Sequence, residues 1–332
     1  MAKAKSQPVR RTRTAHQTDT DRWSRLFIVG GVAAVIVLAV GIIAFGWYWT
    51  QVRPLSKTVL QVGKTEFSLG HLQARMSVSL QENPSFRQSE GFLRVLPDLT
   101  LAQLEREAKL LEAAHELNKI AVTNEELDKK ILEAGGGGES AVLAEELNRL
   151  VKESGLNETQ YLQMVRAELL EEKVRTHFTS LAPKSEPQVR ARWMFFDDEK
   201  KAEEALERLK KGEGFEAVAR DVSQDTTTAP QGGLVEWRPR GGTPPMPEAV
   251  EKFLFEDAKL GQRSEIISEA TASYIALLVN RDGDRELSEQ QKPQVVERQM
   301  NEWLLGLDKT LTIERNLSEE DALRALTDVL TP

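Results

Sequence analysis

The sequence predicts an α+β protein behind a single N-terminal transmembrane helix, with a helical domain into which a smaller α+β domain is inserted. Three observations carry this expectation. An uncharged apolar run lies between Arg25 and Arg53, apolar stripes at helical spacing fill the chain up to about residue 181, and from Val189 the pattern changes to alternating strands and helices. Composition sets the outer bounds. With 332 residues, 40% of them apolar, and no cysteine, the chain is neither wholly disordered nor a disulfide-stapled mini-domain, and it has no thiolates to hold zinc or an iron–sulfur cluster. The net charge of −8 is unevenly spread: residues 1–25 hold seven Lys/Arg against Asp19 and Asp21, a net +5, which leaves −13 for the rest. Such an acidic body argues against nucleic acid as a partner, because affinity there comes from neutralising phosphates.

Residues 1–25 read as a basic cytoplasmic arm and residues 26–49 as a membrane anchor. As a helix the anchor runs about 36 Å at roughly 1.5 Å per residue, enough for a hydrocarbon core of about 30 Å. Trp47, Tyr48 and Trp49 end the run with aromatics that favour the headgroup layer, and the basic arm sets the N-terminus inside and the body outside. A cleaved signal peptide is the alternative; it calls for a shorter apolar region and small residues at a cleavage site, which Gly-Trp-Tyr-Trp does not supply. A buried core helix is weakened by Gly30, Gly31, Gly41 and Gly46. The lack of cysteine fits an oxidising compartment.

The body opens with a short strand at 59–62, a turn at Gly63, and a helix capped by Ser68. Thr100 is a good N-cap for a second helix, whose apolar face holds Leu101, Leu104, Ala108, Leu111 and His115. Three more helices follow, near Thr123-Asn124, after the glycine run 135–138, and from Asn157, where Tyr161, Leu162, Val165, Leu169 and Val174 face inward. Pro183 and Pro187 then break the pattern, so the helical domain spans 55–181. An α+β domain follows over 188–284: a strand at 189–196, helices at 199–211 and from Phe215, a Thr/Pro/Gly-rich loop, and a buried strand at 274–279 that ends at Asn280-Arg281-Asp282-Gly283 and suits pairing with the first. Residues 285–316 supply a helix from about Ser288 to Leu307 and a strand at 310–314. A lone short strand is not stable, so this one is expected to pair with 59–62 and return the chain to the helical domain. The tail, 317–332, starts a helix at Ser318-Glu319-Glu320-Asp321.

Within the α+β part, Val189-Arg190-Ala191-Arg192 opens the first strand, and Lys211-Gly212 and Phe215 follow the first helix. Then come Ala219, Ser223, Asp225, Gly232-Gly233, Trp237-Arg238-Pro239-Arg240-Gly241, Phe255 and Gly261. In order and spacing this set resembles the parvulin family of peptidyl-prolyl isomerases. The flanks, with Val122-Thr123-Asn124-Glu125-Glu126 and Gly155-Leu156-Asn157-Glu158, look like the SurA/PpiD/PrsA group of bacterial exported foldases: a SurA-N-like helical chaperone domain carrying a parvulin-like insert.

The resemblance implies a membrane-anchored foldase at the inner membrane, with its body in the periplasm or extracytoplasmic space, working on unfolded exported polypeptides. Membrane lipid and the translocation machinery are its expected neighbours, and neither cofactor nor metal is expected. Asp225 stands at the family's acid-or-thiol position and is the candidate catalytic residue; the two family histidines match Trp193 and Ile275, and 178–332 contains no histidine. Met246, with Val250 or Phe253, stands for the pocket wall, and Trp237 completes the candidate substrate-binding set. Each has a plainer reading: Asp225 as a turn residue, Trp193 and Trp237 as core aromatics, Gly232-Gly233 as a turn. His71 and His115 lack a third metal ligand.

Two functions fit these residues. One is a prolyl isomerase, for which an apolar cup and a few polar groups suffice because no bond is broken. The other is a chaperone that binds extended chains with little or no catalysis, which the lost imidazoles favour. A structural subunit of an envelope complex is a third option. The chaperone reading requires apolar side chains at an exposed groove of the helical domain.

Overall fold

The computed structural model describes residues 37–43, 45–46, 55–117, 119–136, 142–242, 245–269 and 272–331. The transmembrane helix expected at 26–49 is corrected here. Residues 37–43 and 45–46 are helical, but no helix among the described residues is long and apolar enough to cross a membrane. The remainder of that run, and the arm 1–25, lie outside the described residues.

Strands β1 (Thr58–Val62) and β2 (Thr65–Ser68) form an antiparallel hairpin that turns at Gly63, with φ 57°. Ser68 caps α1 (Leu69–Glu82), accepting the His71 N–H at 3.3 Å. Helix α2 (Glu90–Ala113) begins earlier than expected: Ser89 caps it, Pro97 lies inside it, and Thr100 is buried mid-helix, its hydroxyl donating to the Leu96 carbonyl at 2.8 Å. A threonine whose hydroxyl bonds back one turn sits as well within a helix as at its start. Next come α3 (Asn124–Ala134), α4 (Leu143–Ser154) and α5 (Glu158–Leu181); Thr123 with Glu126 and Asn157 with Gln160 form reciprocal capping boxes.

Strand β3 (Ser185–Phe196) starts inside the proline-bearing linker, with Pro187 at a register shift between Glu186 and Gln188. It is followed by α6 (Glu199–Lys210), α7 (Phe215–Val222), β4 (Leu234–Pro239), α8 (Glu248–Lys252) with a wide turn over Phe253–Asp257, β5 (Ile267–Glu269) and β6 (Ala272–Glu286). These strands make an antiparallel sheet in the order β4-β3-β6-β5. Strand β6 runs straight through Asn280–Gly283, where its end was expected, and pairs with β3 as far as Ser185↔Glu286. Toward Ser185 and Glu286 the paired strands form a polar ribbon, partly exposed but with Gln188 buried against Gln291, and register shifts absorb the turn-forming residues.

Helix α9 (Lys292–Gly306) leads to β7 (Ile313–Arg315) and α10 (Glu319–Leu330), which Ser318 caps. Strand β7 pairs with β1 in the register Leu60↔Arg315, Gln61↔Glu314, Val62↔Ile313, giving the order β2-β1-β7. One core holds Leu60, Phe67, Leu72, Met76 and Leu104 together with Ala325 of α10. A second joins α2, α5 and α9 through Leu110, Leu170, Val174, Met300 and Leu304. Ion pairs surround this seam: Lys109 with Glu105 at 2.9 Å and Asp308 at 2.5 Å, Arg315 with Glu105 at 2.7 Å, and Arg106 with Glu171 at 3.1 Å.

His71 is buried behind Phe67, with ring centroids 4.9 Å apart, and its Nε2 has no hydrogen-bond partner among the described residues. Burial first, and the Arg75 charge second, lower its pKa from 6.5 to about 4. The unfolded chain protonates this ring near 6.5, so between pH 4 and 6.5 the unfolded state binds more protons and stability rises with pH. The expected gain across that window is at most about 3 kcal/mol. Urea unfolding of the full chain at a series of pH values checks it: His71→Gln should flatten the slope, and identical slopes for the two proteins would refute the assignment.

Candidate functional site

Successive residues of β3 face opposite sides of the second sheet. Val189, Ala191 and Trp193 pack with Met246, Val250 and Leu254 on the α8 side, whereas Met194 and Phe196 pack with Ala202, Leu206, Phe215 and Val218 of α6 and α7. The register with β6 sets Met194↔Ile275 and Phe195↔Tyr274. Ile275 is thus fully buried on the far face, and the residues of β6 on the Trp193 face are Ala276, its partner in the register, and Tyr274, whose ring centroid lies 6.3 Å from that of Trp193.

The loop after α7 is stitched to the end of β3. Ser223 Oγ accepts the N–H groups of Phe195 and Asp225, each at 3.3 Å, and the Gln224 N–H donates to the Phe195 carbonyl at 2.9 Å. This fixes Asp225 against Trp193, whose indole Nε1–H donates to Asp225 Oδ2 at 2.6 Å. The Thr228 hydroxyl donates to the same oxygen at 2.6 Å and the Thr227 N–H to Oδ1 at 3.1 Å. Burial works against the charged form of Asp225, but the hydrogen bonds from Thr228, Trp193 and the backbone outweigh it and hold its pKa below the usual carboxylate value. The loop closes through Gly232 and Gly233, at φ 69° and 75°. Gly233 O accepts the Trp193 N–H at 2.9 Å, and a Cβ at Gly233 would collide with the Trp193 carbonyl oxygen, so this position requires glycine.

Beside Asp225 lies a hollow of about 330 Å³. Trp193, Phe195 and Tyr274 give it an aromatic wall, Pro245 and Pro247 close it from the α8 side, and Gln224 and Thr226 flank the carboxylate. Phe195 and Tyr274 stack at 5.5 Å between centroids. Of the candidates read from the sequence, Trp193 and Asp225 meet here. Met246 and Val250 are buried in the core that Trp193 caps, and Phe253 packs against that core. Trp237 sits elsewhere: the Arg285 guanidinium lies 4.4 Å from its ring centroid, and its carbonyl accepts from Gln291 Nε2 at 2.7 Å, near the start of α9. Phe195, Tyr274, Pro245 and Pro247 were not among the candidates; alternation counted from Trp193 is the signal that finds Phe195, whereas Tyr274 follows only from the register with β3.

A second concavity, of about 400 Å³, lies between α2 and α10. Pro97, Leu317, Ala322, Leu323 and Leu326 line it together with Arg94, Asp98, Ser318 and Glu319, and Leu323 is 65% exposed. Among the described residues no group of three or more His, Cys, Asp or Glu is arranged to hold a metal ion.

Comparison with known proteins divides the chain in two. Residues 196–279 match the PPIC-type PPIASE domain of the rotamase family, and residues 18–175 match the SurA-like N-terminal domain. The foldase protein PrsA of Geobacillus sp. strain WCH70 is 28% identical over 183 residues, covering 52% of this chain and 61% of the relative. PrsA 3 of Bacillus cereus is 30% identical over 123 residues, covering 36% and 42%. The chain therefore spans about three fifths or less of the length of these curated relatives. Among solved structures, the crystal structure of PrsA from Bacillus anthracis has a TM-score of 0.39 at 18% identity, covering 69% of this chain and 95% of that one. The solution structure of the parvulin domain of PpiD from E. coli has a TM-score of 0.25 at 24% identity, covering 30% and 93%.

Replacing Trp193 by Phe keeps the ring against Tyr274 and removes the N–H donor. The Asp225 carboxyl should then titrate at higher pH than in the unaltered chain, and unfolding should cost about 1–3 kcal/mol less. An NMR titration of the Asp225 side-chain carbon reads the first effect; an unshifted midpoint would mean that the indole does not hold the charge.

Proposed function

We propose that this chain, which carries a PPIC-type peptidyl-prolyl isomerase domain and a SurA-like N-terminal domain, is an extracytoplasmic foldase that binds unfolded polypeptides and speeds rotation about their X–Pro bonds. The order of a basic segment at 1–25 and an apolar one from 26, together with the cysteine-free composition, supports a place outside the cytoplasm. The hollow beside Asp225 carries the isomerase half of the reading.

Rotation about X–Pro meets a barrier of about 20 kcal/mol. Removing about 5 kcal/mol of it gives a several-thousandfold acceleration, and no bond needs to break. The proline ring rests on the wall of Trp193, Phe195 and Tyr274, a surface that excludes water from the amide. Asp225, kept ionised, then stands near the X carbonyl. Resonance loads negative charge on that oxygen when the amide is planar and withdraws it as the amide twists, so repulsion from a fixed carboxylate disfavours the ground state more than the transition state. Positions that match the family histidines hold Trp193 and Ile275, and in this chain one indole–carboxylate pair does the work of an imidazole network. The groove between α2 and α10 supports the chaperone half: its exposed Leu323, beside the partly buried Leu317 and Leu326, offers an apolar segment a surface that it lacks in water.

Cis–trans exchange of a capped Ala-Ala-Pro-Phe peptide, followed by NMR with the full chain, tests the catalytic half. Exchange should exceed the solvent rate and fall about tenfold or more in Asp225→Ala and in Tyr274→Ala. Exchange no faster than in buffer would overturn it and leave binding alone. The substitution Leu323→Lys should weaken suppression of client aggregation while leaving peptide exchange as it was; unchanged suppression would remove the groove from the reading.

A further inference from the structure

Resting on the isomerase reading of the hollow, we propose that it selects a basic side chain, lysine or arginine, on the residue before the proline. The lining is the first reason. Among the described residues that line it, Asp225 is the one charged member and none is basic. Three basic groups of the neighbouring elements are engaged elsewhere: Arg192 bonds Glu216 and the Gly232 carbonyl, Lys201 bonds Asp197, and Arg263 bonds the Ser264 carbonyl.

The second reason is the state of the carboxylate. The donors of the chain itself that reach the Asp225 carboxylate are the Trp193 indole, the Thr228 hydroxyl and the backbone N–H groups of Thr227 and Thr228. All of them are neutral, so the full negative charge remains for a cationic ligand, on a side chain that is only half-buried. Glu269 adds to the field. It is held by the Ala249 N–H at 2.6 Å on the strand beside Tyr274, and the Tyr274 hydroxyl registers it: burial first, then Glu269 and Asp225, push that hydroxyl's pKa up. With the proline ring on the aromatic wall and the amide at Asp225, the side chain before the proline leaves on the carboxylate side. A cation there is attracted and an anion repelled, in a partly water-excluded place where a charge counts for more than on an open surface.

The test uses the full chain and three capped peptides, Ala-Lys-Pro-Phe, Ala-Ala-Pro-Phe and Ala-Glu-Pro-Phe, with the Trp193 indole N–H resonance as the reporter of binding and exchange spectroscopy as the reporter of catalysis. Binding should be about tenfold tighter for the lysine than for the glutamate peptide at low salt, and the ratio should shrink to about twofold or less near 0.5 M salt. Asp225→Asn should bring it near one at any salt. The salt series on the unaltered chain stands on its own if that variant does not fold. Equal binding of the three, or preference for glutamate, overturns the proposal even where exchange is accelerated. Lysine preference without acceleration upholds the proposal and overturns the isomerase reading alone, and no binding of any peptide overturns both.

Discussion

The hydrogen bond between the Trp193 indole and the Asp225 carboxylate joins two groups that each need the other. A mostly buried indole N–H wants an acceptor, and a half-buried carboxylate wants donors. Their 2.6 Å contact meets both needs and, with Thr228, fixes the loop that bounds the hollow to the central strand of the sheet. The glycine pair makes the same closure from the backbone side, since the chain passes Trp193 too closely for any side chain at Gly233. Geometry and charge are therefore set together: the carboxylate is held ionised by the groups that hold it in place. This is a preorganised electrostatic site of a kind that an imidazole network also provides, built here without a group that titrates near neutrality.

What keeps the sheet itself in position is the return of the chain. Strand β1 and helix α10, from opposite ends of the described body, share one core, and α9 shares another with α2 and α5. The magnitudes say which effect dominates. A fully buried leucine or methionine such as Leu60, Leu72 or Met76 contributes about 1.5–3 kcal/mol. An ion pair as exposed as Arg175 with Glu297 contributes about 0–1 kcal/mol. The salt-bridge belt around α9 thus orients helices that apolar burial holds. Lys109 is the exception, because it is itself buried and shared between Glu105 and Asp308, so removing either partner's charge leaves a cation with fewer routes to compensation. Arg298, reaching from α9 to Glu186 at 2.6 Å, links this scaffold to the root of the β3–β6 ribbon.

Local chemistry explains what could be read in advance. Ser68, Thr123, Asn157 and Ser318 cap helices because a short side-chain oxygen beside free N–H groups needs no tertiary partner. Thr100 has the same oxygen and does not cap, since Ser89 starts the helix earlier and the hydroxyl finds the Leu96 carbonyl instead. The run Asn280–Gly283 has turn-forming residues yet stays extended, because pairing with β3 supplies the hydrogen bonds that a turn would otherwise make for itself.

The site shows the sharper limit. Trp193 and Asp225 are 32 residues apart, and no local pattern states that an indole will find a carboxylate over that span. Ile275, which the resemblance matched to a family histidine, and Tyr274 differ by a single position, and in a strand one position reverses the face, so Ile275 enters the core beneath α6 and α7 while Tyr274 lines the hollow. Two adjacent residues of one strand thereby face different surroundings. The fully buried isoleucine supplies packing to the far side of the sheet, and the half-exposed tyrosine lines the hollow. An alternating pattern reveals that the two faces differ, but only the register with β3, fixed by Phe195↔Tyr274, says which residue lies on which.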